Sequence, residues 1–159
     1  MTTITGNSRL FSWKPTLRLA LPLAVLALLA TPLGPLGGFW RPSPEIPVES
    51  ATTLQLGLFL VLNIAEALTF GLGISFLVFG YPMVRAILPA SPGLTRAAYL
   101  SAAWVMINWW MHDSLHTHVG MALSRLLAME YAFHLTLMIA GLILGYFFTV
   151  ILRTEKNLR

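Results

Sequence analysis

A chain of 159 residues in which 57% are hydrophobic and only 10% charged is far from an ordinary soluble domain, where about 25% of residues are charged, and its length leaves room for one domain. The net charge of +4 comes from Lys and Arg gathered at the ends of apolar stretches; that placement is how membrane orientation is encoded, and it excludes nucleic acid as a partner. With no cysteine in the chain, disulfides, iron–sulfur clusters and thiolate chemistry are excluded as well.

In chain order, the first apolar stretch follows Arg9, Lys14 and Arg18 and reaches Trp40, giving a predicted span over residues 17–40. A basic lead before a Leu/Ala run is also the pattern of a signal peptide. Against cleavage, ALLATPLG offers no clean small-x-small site, and PLGPLGGFW carries the apolar run on to an interfacial tryptophan. The loop WRPSPEIPVES, with three prolines in its core, reads as an extended surface connection.

The second predicted span covers 54–82, the third 96–116 and the fourth 124–152. A helix needs about 20 residues to cross the hydrocarbon. The third reaches that length only if it continues through His112 to His116, which places these histidines on a helix. Gly141 and Gly145 form a GxxxG in the fourth span, and Gly57, Gly71, Gly73 and Gly80 dot the second; such residues let helices approach closely.

The expected fold is therefore an all-α integral membrane protein, a four-transmembrane-helix bundle forming one transmembrane domain over residues 1–159. Arg9, Lys14, Arg18, Arg85, Arg96, Arg153, Lys156 and Arg159 fall on one side, and Arg41 and Arg125 on the other. Both termini are then expected in the cytoplasm, in a bacterial inner (plasma) membrane.

Polar residues in the spans are the candidate functional groups, because lipid cannot satisfy them. Asn63 with Glu66, Asn108 with His112 and His116, and Glu130 with His134 are each three or four residues apart, so each set shares a helix face. All lie at the midplane or in the outer half. Asp113, about 100° round the helix from His112, is assigned to the outer rim, and His118 to a solvated loop. The inner half offers only Ser75, Tyr146 and Thr149, so the pattern suggests an outward-facing pocket and not a conduit across the membrane.

Imidazole and carboxylate together suit a transition metal ion, whether zinc, copper, iron or manganese. In that reading His112, His116 and His134 are ligands, Glu130 is a ligand or supports one, and Glu66 ligates or takes up a proton. HDSLH resembles the H-D/E-x-x-H boxes of membrane desaturases and hydroxylases, and it is one substitution from the HExxH of zinc proteases. The protease resemblance implies Asp113 as general base. Two alternatives stand beside the metal site. A haem b could be held between His134 and His112 or His116, for electron transfer. The same residues could instead be a polar packing knot, without cofactor, in an accessory subunit of a membrane complex or a homo-oligomer.

Overall fold

The computed structural model describes residues 13–32, 34–40, 52–120 and 122–157. The proline-rich loop read as an extended connection, with Arg41, Glu45 and Glu49, lies outside them, as do Arg9 and Arg159. The described residues are helical, with no strand among them. In order they form α1 (Trp13–Leu29), a short 3₁₀ turn (Gly37–Trp40), α2 (Thr53–Phe79), α3 (Tyr81–Ile87), α4 (Pro92–Val119), α5 (Leu123–Met129), a π-helical turn (Glu130–Leu135) and α6 (Thr136–Asn157).

Local chemistry sets these boundaries. α1 stops eleven residues short of the predicted Trp40, because Pro32 and Pro35 cannot supply helix N–H donors. Thr31 Oγ1 donates to Leu28 O at 2.9 Å, and the Leu36 N–H to Leu29 O at 2.9 Å, so the stretch to Trp40 is a turn folded back on the helix end. α2 opens with a capping box in which Thr52 and Gln55 satisfy each other's backbone N–H. It ends at Gly80, not at residue 82, and α3 restarts with Pro82 in its first turn. α4 does run through the histidines, for 28 residues, and closes on Gly120 at φ 63°, a left-handed conformation that favours glycine. α5, the π-helical turn and α6 share one 34-residue rod, Leu123–Lys156.

The rods pack antiparallel, each on the next. Ser75 Oγ of α2 donates to Thr16 O of α1 at 2.8 Å, and Gly71 lies so close to α1 that a Cβ there would stand 2.3 Å from Ala20 O. Farther along α2, Gly73 sits against Ile107 and Met106 of α4, Phe70 rests on Trp110 with ring centroids 4.7 Å apart, and the Tyr99 hydroxyl donates to Leu77 O. On its other side α4 meets the last rod. Trp104 Nε1 donates to Thr136 Oγ1 at 3.0 Å and its ring stacks on Phe133. Val84, Leu88, Ala98 and Phe147 form the core near α3, and Val119, Met129 and Phe133 form a second core at the opposite end.

Two helices, α2 and the Leu123–Lys156 rod, are long and apolar enough to cross a membrane. Only 22% and 11% of their most apolar windows are buried. α1, at 17 residues, is short, and α4 is diluted by the polar groups described next.

Candidate functional site

α4 is the hinge of the site because its neighbours lie on two different faces. Ile107, Trp110 and Asp113 recur every three residues and meet α2, whereas Trp104 and His112, two turns apart, meet the π-helical rod. Consecutive residues differ by about 100° round a helix, so His112 and Asp113 serve different partners. Asp113 lies on the α2 side of α4 with its side chain 43% exposed, at the edge of the cluster.

Glu66 of α2 is buried, at 8% exposure, and its carboxyl lies beside that of Asp113 on α4. Asp113 Oδ1 also lies 3.1 Å from His112 Nδ1. His112 is equally buried, at 8% exposure, and its Nε2 is 3.0 Å from His116 Nε2 one turn on. Asp113, His112 and His116 thus form a hydrogen-bonded run along the end of α4, with the buried Glu66 carboxyl of α2 beside its Asp113 end.

The π-helical rod supplies a second pair alongside. His134 Nδ1 donates to Glu130 Oε2, and the His134 ring is 4.8 Å from the His112 ring. His112, Asp113, Glu130 and His134 all lie close enough to His116 to act on it electrostatically, so these five groups form one cluster. Phe133, its ring centroid 5.5 Å from that of His112, gives the cluster an apolar floor. Glu130 and His134 are nearly half exposed, at 46% and 44%, whereas Glu66 and His112 are enclosed.

Of the residues singled out in the sequence, Glu66, His112, His116, Glu130 and His134 thus come to one neighbourhood. Asn63 does not: its Nδ2 turns back to Phe59 O of its own helix at 2.8 Å. His118 is exposed at the end of α4. The expected metal centre finds no support: among the described residues, no three His, Asp or Glu side chains are arranged to hold a metal ion. The reason is visible in the contacts. Asp113 and Glu130 each face an imidazole Nδ1, and the Glu66 carboxyl lies beside Asp113, so the carboxylates pair with neighbouring groups and not with a common point.

Two residues escaped the sequence reading in their present roles. The approach of Asp113 to Glu66 depends on the register between α2 and α4, which neither segment encodes alone. Asn108 shares the His112 face as expected, but it is wholly enclosed, with no partner for either amide atom among the described residues. No protein-family model matches the chain, and no curated protein or solved structure is similar to it.

Proposed function

We propose that the protein is a four-span integral membrane protein whose outer half carries a proton relay running from His116 inward to Glu66. Antiparallel rods, apolar side chains turned outward and the bias of Lys and Arg to one side support four crossings with both termini cytoplasmic. On that orientation the His116 end of α4 faces outward. The observation that carries the functional reading is the hydrogen-bonded run Asp113–His112–His116 ending beside the buried Glu66 carboxyl.

The proton inventory follows from the bonds. Two neighbouring carboxyl groups, one of them buried, are relieved of their repulsion by one proton between them, so in this reading the Glu66–Asp113 pair holds one. Asp113 also accepts from His112 Nδ1–H, which leaves His112 Nε2 to accept from His116 Nε2–H. A proton arriving at His116 Nδ1 releases the Nε2 proton to His112 Nε2. His112 in turn gives its Nδ1 proton to Asp113, so one proton enters outside and one reaches the buried carboxyl pair. The inner half has only isolated hydroxyls, so the relay loads a buried site and does not conduct across the membrane.

A jump in external pH on proteoliposomes, followed by infrared detection of the carboxyl C=O stretch, tests this reading. Wild type shows a carboxyl band that responds to external pH, and His112→Gln uncouples it. A band indifferent to external pH in wild type overturns the relay.

One specific observation favours a second reading, a transition metal ion on His112, His116 and His134. Asp113 and Glu130 each engage an imidazole Nδ1, the pairing that orients metal-ligating histidines by Nε2. Elemental analysis then gives metal that is lost in His112→Ala, His116→Ala and His134→Ala and kept in Glu66→Ala. A visible spectrum taken with it addresses haem b, which no contact favours: the His112 and His134 rings, 4.8 Å apart, flank no porphyrin-sized gap. A partner that copurifies at fixed ratio, without metal, pigment or proton response, would return the site to the accessory-subunit reading.

A further inference from the structure

The side chain of Asn108 is the most enclosed polar group of the molecule that has nothing to bond. Its exposure is 0%, and neither Nδ2 nor Oδ1 has a hydrogen-bond partner among the described residues. An amide carries two donors and an acceptor with two lone pairs, and a buried group of this kind is kept only where something satisfies it. The surroundings narrow what that can be. Trp104, one turn toward α3, is committed to Thr136, and His112, one turn the other way, has both nitrogens engaged by Asp113 and His116. Phe133 packs against both rings and shields the seam between α4 and the π-helical rod.

We infer that Asn108 is a binding site for an ordered water molecule, held in the α4–α6 seam beneath His112. The site requires a ligand that donates and accepts at once, which excludes simple anions and cations, and that is no larger than the enclosed amide allows. Water meets both demands, and buried waters characteristically make two to four such bonds. This inference stands on the amide alone and does not depend on whether the histidine run carries protons or metal. It places the inner limit of the hydrated part of the molecule at Asn108, one helical turn deeper than the histidines.

Asparagine-selective ¹⁵N labelling gives four side-chain amides, those of Asn7, Asn63, Asn108 and Asn157. The Asn108 signal is the one missing from Asn108→Leu. In wild-type protein in detergent, the Asn108 Nδ2 protons are expected to show a cross-peak to a long-lived water. Asn108→Leu, which removes the amide and its water together, is expected to keep or raise the melting temperature. If that variant does not fold, removing Asn7, Asn63 and Asn157 one at a time assigns the signal by elimination. An Asn108 amide with no water cross-peak, or with its protons bonded to a protein carbonyl, overturns the inference whatever the variants' stability.

Discussion

Asp113 stands between two groups, hydrogen-bonded to the His112 ring of its own helix and beside the Glu66 carboxyl of α2. Its side chain is 43% exposed, so water can replace what it loses on mutation. Glu66, at 8% exposure, has no such substitute. Asp113→Ala therefore leaves a buried carboxyl unpaired and is expected to cost about 1–3 kcal/mol, read as a lower melting temperature in detergent. A Glu66→Leu change made in that background is expected to recover part of the loss, and a double-mutant cycle should return a coupling of at least about 0.5 kcal/mol. Asp113→Asn separates structure from function. The amide still accepts from His112 and still stands beside Glu66, so stability should stay within about 0.5 kcal/mol of wild type, but it cannot relay a proton, and the pH-jump response should vanish. An Asn variant as active as wild type would reduce the cluster to packing.

At the scale of helices, the apolar runs foretold which segments are helical, and even that α4 must continue to His116 to be long enough. They did not foretell where helices break. Gly80 sits in an unbroken apolar stretch, and nothing in LAMEYAFHLTL distinguishes a π-helical turn from an α-helix, although that turn carries both Glu130 and His134 and π segments recur at functional sites. The glycines show the same limit. The glycines of the second and fourth spans read alike as places of close approach, yet a Cβ on Gly57, Gly141 or Gly145 would meet nothing within 4 Å, whereas Gly71 lies against the backbone of α1 and Gly73 against α4. Close approach depends on which face meets a neighbour, and that is a property of the pair. Gly71→Ala is thus expected to lose about 1–3 kcal/mol through overpacking. Gly141→Ala should gain roughly 0.5–1 kcal/mol from helix propensity. Equal effects at the two positions, measured by thermal unfolding, would show that Gly141 is covered by another molecule.

Across the whole molecule, α4 carries the argument for four crossings, since it is the helix that composition alone does not place in a membrane. It lies between α2 and the Leu123–Lys156 rod, both of which have the length and apolarity to span, and it is antiparallel to each of them through Phe70–Trp110 and Trp104–Thr136. On the proposed four-span reading α4 crosses with its neighbours, and its ionisable groups escape lipid by facing them. The two turns that flank α4 must then lie on opposite sides. Because the chain has no cysteine, single-cysteine variants report on this without background. Ala90→Cys, in the turn between α3 and α4, should react with an impermeant maleimide only after the cells are opened. Ser124→Cys, just past the turn that follows α4, should react on intact cells. Both positions are exposed, so a failure to label reflects side and not burial. Labelling of both from the same side would mean that α4 does not cross, and the relay would lose its outward mouth.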